Sequence, residues 1–164
     1  MFEHLNTPEE IFRFKLGSAL TMERTLIDVL EELEQHAQRE QIKAALRHHR
    51  EQTLDHVANV ERCFNLLGEG LDDSPCPVVD ALEKDGKSTI GKADESVVDA
   101  VVLAAATESE HYEIGVYETL IANARARGET EVTELLQRNL DDERHALELA
   151  LNTMAQMAAQ GVAL

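Results

Sequence analysis

Residues 68–93, GEGLDDSPCPVVDALEKDGKSTIGKA, decide the fold of this chain. This stretch holds four of the eight glycines and two of the three prolines, whereas the regions on either side contain few of either. Because glycine and proline interrupt regular structure, the stretch predicts a long connection between two helical regions. A short helix can form inside it over residues 77–83, PVVDALE.

Two long helices are predicted before this connection. Thr7-Pro8-Glu9-Glu10 is a helix start, with threonine as the N-cap, proline at the first helical position and glutamate at the third. The apolar stripes of the regions before and after residue 39 differ in direction by roughly 100°. A single straight helix cannot present both stripes to one core, so the pattern predicts an antiparallel pair of helices over residues 8–37 and 40–67.

Two more long helices are predicted after the connection. The third long helix covers residues 94–127, with Asp94 as its N-cap and Gly128 as its stop. The fourth long helix covers residues 130–160 and ends near Gly161. If the second and third long helices are parallel, their connection must span about 40 Å. The 26 residues of the connection can cover that distance. We therefore predict one all-α domain over residues 1–164, a ferritin-like four-helix bundle with a long crossover.

Composition narrows the classes of function. Aromatic residues make up 4% of the chain, which disfavours an all-β fold, and the formal net charge of −17 argues against a nucleic-acid surface. The sequence has no run of apolar residues long enough to span a membrane and no signal-peptide pattern, so we expect no membrane partner and a cytoplasmic location. The two cysteines form no metal or disulfide motif; Cys63 is expected in the core, and Cys76 lies between two prolines in the connection.

Charged side chains interrupt the apolar stripes at one level of the predicted bundle. These carboxylates are Glu23, Glu110, Glu113 and Glu143. The second long helix places His49, Thr53 and His56 on its stripe, with Gln52 toward one edge. Buried ionised carboxylates are unfavourable unless they are paired or bind metal, and no Lys or Arg lies on these stripes nearby. Glutamate and histidine from facing helices are the ligands that di-iron bundles use, so the pattern predicts a metal site.

Alternatives remain open for the residues taken one at a time. A single glutamate on a stripe is more often protonated or bent toward solvent. His49 alone is more often a hydrogen-bonded core histidine, and for His56 a ligand role and a structural role are equally consistent with the sequence. Tyr117, one turn after Glu113, either packs in the core or donates a hydrogen bond to a ligand.

Several segments resemble the YciE/YciF-type family of bacterial ferritin-like stress proteins. The most specific is residues 99–114, DAVVLAAATESEHYEI; the others are ALTMERTL at 19–26, HREQT at 49–53 and LDDE at 140–143. The resemblance covers nearly the whole chain. It implies a rubrerythrin-like four-helix fold, an iron centre (with manganese as the other candidate metal) and a stress-associated role. Carried over residue by residue, it assigns the four glutamates to the centre.

The sequence departs from the pattern that the resemblance implies at two places. Gln52 stands where the family has a second glutamate, and Ala146 stands three residues after Glu143, where a ferritin-like motif places histidine. The sequence therefore leaves three alternatives open: a single bound metal ion, an asymmetric pair of metal ions, or an inert remnant of a metal site. The residues thus predict a metal-binding set of Glu23, His56, Glu110, Glu113 and Glu143, with His49 and Gln52 as weaker candidates.

Two functions from different classes follow. The first is a di-iron-type oxidoreductase or peroxidase that acts on peroxide or oxygen, with a separate protein as its electron donor because the chain has no rubredoxin-like cysteine module. The second is a non-catalytic stress or assembly protein with a degenerate metal site. In either case we expect a homodimer or a higher homo-oligomer.

Overall fold

The computed structural model describes residues 4–161 and contains five helices and no strand in that range. The helices are α1 (Pro8–His36), α2 (Glu40–Leu66), α3 (Pro77–Ile90), α4 (Val98–Ala126) and α5 (Thr130–Ala159). The predicted helices at 8–37, 40–67 and 130–160 match α1, α2 and α5 to within one residue at each end. The helix start at Thr7 is also present, because its hydroxyl accepts from the Glu10 amide at 3.1 Å and the Glu10 carboxylate accepts from the Thr7 amide.

The prediction that the third long helix begins at Asp94 is wrong. The helix α4 begins at Val98, four residues later. The Asp94 carboxylate instead accepts hydrogen bonds from the amide and the hydroxyl of Ser96, at 2.9 and 2.8 Å, which holds this segment in a turn. The helix inside the connection is also longer than predicted, because α3 continues from Pro77 to Ile90 and packs against α4 and α1.

Contacts at the two ends of α4 define its direction. Near its start, the Asp99 carboxylate accepts from the amides of Gln38 and Arg39, at 2.6 and 3.2 Å, in the turn between α1 and α2. After its end, the Arg127 guanidinium donates to Glu9 at 3.0 Å, at the start of α1. The helix α4 therefore begins where α1 ends and ends where α1 begins.

The connection between α2 and α3 lies close against α1 at Gly17. A Cβ atom at Gly17 would be 3.0 Å from the backbone oxygen of Asp72, so a larger residue would push the two segments apart. The hydroxyl of Ser18 donates to the backbone oxygen of Pro75 at 3.2 Å, which ties the connection to the next residue of α1.

The apolar core forms two clusters along the helices. One includes Phe12, Phe64 and Leu136, and the other includes Leu33 and Leu46. Along α2, α4 and α5, the buried histidine and glutamate residues described below lie between the buried residues of one cluster and those of the other. Cys63 lies fully buried in the first cluster, as predicted. No helix in the described part of the chain has the length and hydropathy to cross a membrane.

Candidate metal centre

Six titratable side chains from four helices meet in the interior. Glu23 comes from α1, His49 and His56 from α2, Glu110 and Glu113 from α4, and Glu143 from α5. All six are buried, and Glu23, His56 and Glu143 have no measurable exposure. The helical repeat explains this arrangement, since each side chain lies on the apolar stripe that its helix turns toward the core.

Four of these residues form the first group, His49, Glu110, Glu113 and Glu143. Each offers one ligand atom, and these atoms all lie within 4.8 Å of one another. The Nε2 atom of His49 is 3.2 Å from Oε1 of Glu110 and 3.2 Å from Oε2 of Glu143. Carboxylate oxygen and imidazole nitrogen at this spacing can surround one cation.

The second group contains Glu23, His56 and Glu143, again with ligand atoms within 4.8 Å of one another. The Nδ1 atom of His56 is 2.8 Å from Oε1 of Glu143 and 3.4 Å from Oε2 of Glu23. Glu143 therefore belongs to both groups, and it turns one oxygen toward each histidine. A carboxylate in this position can bridge two cations.

Several buried atoms of the cluster have no hydrogen-bond partner. They are Oε2 of Glu23, Glu110 and Glu113, both carboxylate oxygens of Glu143 and Nδ1 of His56. The distance of 2.8 Å between His56 and Glu143 would suit a hydrogen bond, but the directions of the two groups do not, so proximity alone is not pairing. Unpartnered buried polar atoms are costly, and their convergence needs an explanation.

Burial and mutual repulsion shift the pKa values of the carboxyl groups. Burial raises the pKa of Glu23, and it raises that of Glu110 to about 7 against the opposing effect of His49. The pKa of Glu113 is raised well above its usual value by burial and by the charges of the other three carboxylates. For Glu143 burial acts in the same direction, but the two imidazoles outweigh it and hold the pKa below its usual value.

The two imidazoles behave as the partners of these carboxylates. Burial lowers the pKa of His56, but the carboxylates of Glu143 and Glu23 outweigh it and raise the pKa to about 10. The pKa of His49 is raised well above its usual value against burial by Glu110 and Glu143. Without metal, the cluster therefore holds protons at neutral pH, and a cation must displace them.

Three surrounding side chains support the cluster. Tyr117 donates a hydrogen bond to Glu23, and Asn139 donates to the Tyr117 oxygen at 2.9 Å. Nε2 of His56 lies 3.3 Å from Oδ2 of Asp142. A carboxylate that accepts from the other nitrogen of a ligand histidine fixes its ring orientation and tautomer.

The structure brings together the five main residues predicted from the sequence and adds His49 to them. Gln52 lies beside the first group, with its amide oxygen 3.5 Å from Nδ1 of His49. The helix pattern of the sequence did not single out Asn139 or Asp142. Asn139 lies one turn before Glu143 on the same buried stripe, and this position was the available signal. Asp142 points to the side, so only the three-dimensional packing reveals its contact with His56.

These features define a class: helical proteins with a buried glutamate–histidine cluster shared by four helices. The chain belongs to the family described as "Domain of unknown function (DUF892)", whose model matches residues 7–163. It is 25% identical over 154 residues to Protein YciF of Escherichia coli strain K12, covering 93% of this chain and 92% of YciF. The predicted resemblance to YciE/YciF-type proteins is confirmed.

Solved structures agree with this assignment. The structure of YcfI from Rhodopseudomonas palustris matches with a TM-score of 0.88 at 29% identity, over 92% of this chain and 96% of YcfI. The structure of the E. coli stress protein YciF matches with a TM-score of 0.84 at 24% identity, over 90% of this chain and 97% of YciF. The fold of the chain is therefore that of YciF.

Proposed function

We propose that the four long helices form a ferritin-like bundle in which the segment between α2 and α4 is the crossover. The contacts at both ends of α4 support this topology, because they require the chain to return along the whole length of the bundle between α2 and α4. The helix α3 lies within that return and packs on α4 and α1. Bundles of this type place metal ligands on the facing sides of their helices.

The chain's function, in this proposal, is to bind a pair of divalent cations, one at each group of ligands, with Glu143 between them. The observation that carries it is the convergence of unpartnered buried carboxylate and imidazole atoms. Two divalent cations carry four positive charges, which equals the charge of the four carboxylates when all are ionised. Cations would therefore relieve both the repulsion and the missing partners.

Iron is the proposed metal, with manganese as the other candidate, since both accept mixed oxygen and nitrogen ligands. Bound iron would supply redox chemistry toward peroxide or oxygen. The chain's own residues would hold the metal, exclude water from it and orient the ligands: Tyr117 holds Glu23 and Asp142 holds His56. Electrons would come from a separate protein.

We further propose a stress-associated role, a cytoplasmic location and a homodimer or higher homo-oligomer. The stress protein YciF supports the first of these by similarity. Exposed leucines on α2 and α5, which include Leu54 and Leu151, at 54% and 45% exposure, offer apolar contacts to a second copy. Light scattering after size exclusion would test the assembly, and a monomer at all concentrations would contradict it.

A non-catalytic scaffold is the second candidate, and one observation favours it. Gln52 and Ala146 occupy positions where ferritin-like motifs place glutamate and histidine, so a neutral amide and a side chain without a ligand atom stand there instead. In that case the cluster would no longer bind metal, and bound protons would balance the carboxylate charges in place of the cations.

Metal analysis of protein purified without chelator tests the metal proposal, followed by calorimetric titration with Mn²⁺. We expect close to two ions per chain, and binding at both positions should fail in Glu143→Gln because this residue serves both groups. The matched control is Glu148→Gln, which changes an exposed glutamate of the same helix. Equal binding by both variants, or no binding by the unchanged protein, would refute the proposal and favour the scaffold.

A further inference from the structure

A small cavity lies between α2, α4 and α5 next to the first group of ligands. Its volume is about 70 Å³, and its wall is mostly apolar, formed by Leu46, Leu103, Ala106, Ala146, Leu149 and Ala150 among others. Leu149 is 44% exposed, which places part of the wall at the protein surface. The cavity is therefore a recess that is partly open to solvent.

Small side chains create this space. Ala106 of α4 and Ala146 and Ala150 of α5 all line it. Ala146 stands three residues after Glu143, one turn along the same helix. The residue that departs from the ferritin-like motif therefore leaves space beside the ligands of the first group.

Polar groups are confined to a few places in the cavity wall. The buried side chains of His49 and Glu110, both of the first ligand group, line it together with the half-buried amide of Gln52. His48, His145 and Thr153 also line it; the two histidines are exposed, and the half-buried Thr153 donates its hydroxyl hydrogen to the backbone oxygen of Leu149. A ligand with an apolar body could therefore place one polar end against His49, Glu110 and Gln52.

We propose that this cavity binds a short, uncharged aliphatic molecule with one polar end, such as a straight-chain alcohol, and that this is the substrate class of the metal centre. The substrate role rests on the proposed metal function; the binding does not. The apolar wall disfavours any charged ligand, and the neighbouring carboxylates and the net charge of −17 disfavour anions further.

The volume sets the size of the ligand. About 10–15 Å³ of cavity volume holds one water-sized group, so a cavity of about 70 Å³ holds roughly five such groups. That matches a chain of four or five carbons with a hydroxyl group.

Saturation-transfer NMR with 1-pentanol on the chelator-treated full chain tests the proposal. We expect saturable binding of pentanol, with pentanoate binding at least tenfold more weakly. In Ala146→Phe the added ring fills the cavity, so pentanol binding should fall at least tenfold. Ala155→Phe, at an exposed position of the same helix, should bind as the unchanged protein does.

A second cavity-filling variant and a metal titration complete the experiment. Ala106→Leu closes the cavity from α4 and should also reduce pentanol binding at least tenfold if Ala146→Phe does not fold. Mn²⁺ titration of each variant separates the two proposals: pentanol binding without Mn²⁺ binding refutes the metal function alone. Absent pentanol binding, equal binding in the filled variants, or binding that falls as the chain self-associates would overturn the cavity proposal.

Discussion

Replacing Glu113 by glutamine should preserve the metal-free protein and remove one of two metal positions. Glu113 is buried, its Oε2 atom has no hydrogen-bond partner, and its pKa is raised well above the usual value by burial and neighbouring carboxylates. Burial and the neighbouring charges therefore favour the protonated, neutral side chain when no metal is bound. Glutamine has nearly the same shape and no charge, so stability without metal should change by less than about 1 kcal/mol.

The difference in stability between the variant and the unchanged protein appears when metal is added. A cation at 100 times its dissociation constant stabilises the folded state by about 2.7 kcal/mol. For a chain of this size, 1 kcal/mol changes the melting temperature by roughly 2–4 °C, so each ion should raise it by about 5–11 °C. Glu113 belongs only to the first group of ligands. The variant should therefore keep about half of the increase seen for the unchanged protein.

Thermal melting with chelator and with added Mn²⁺ measures both effects. Glu108→Gln provides the control, since it makes the same change at an exposed position of α4. The control should show the full increase in melting temperature. A full increase in Glu113→Gln as well, or a loss of stability of several kcal/mol without metal, would refute our assignment of this carboxyl group.

Three other predictions follow. In Gln52→Glu, a carboxylate beside Nδ1 of His49 should raise Mn²⁺ affinity at least tenfold by calorimetry, and an unchanged affinity would place this residue outside the centre's influence. In Asp142→Asn, loss of the charge next to His56 should lower Mn²⁺ affinity by roughly 10- to 100-fold, and it should leave the first group's ion bound. The pKa of His56 in the folded protein is raised to about 10, above the value of about 6.5 for an unfolded histidine. The melting temperature without metal should therefore fall as the pH rises above about 6.5. The affinity for Mn²⁺ should instead rise over the same range, because the protons that the cation displaces are leaving, and parallel trends would contradict this displacement.

The sequence predicted the long helices because their signals are local. The Thr7 cap, the phase change before residue 40 and Gly128 each act within one or two helical turns. The start of α4 was harder, since Asp94 is a good cap residue by type and only its hydrogen bonds with Ser96 show that it caps a turn instead.

The centre was predictable to the extent that it follows helix stripes. Glu23, Glu110, Glu113 and Glu143 are buried where the stripes place them, and the shared level of His56 followed from the hairpin turns. Contacts that depend on the angles between packed helices were not predictable. The approach of His49 to two carboxylates and of Asp142 to His56 belongs to this class, as does the cavity beside Ala146.

Anomalous diffraction from crystals loaded with Mn²⁺ tests the central claim most directly. We expect two peaks inside the bundle, one among His49, Glu110 and Glu113 and one between Glu23 and His56, with the carboxylate of Glu143 between them. Crystals with ordered carboxylates but no peak in the cluster, or with peaks only at surface acids, would contradict it.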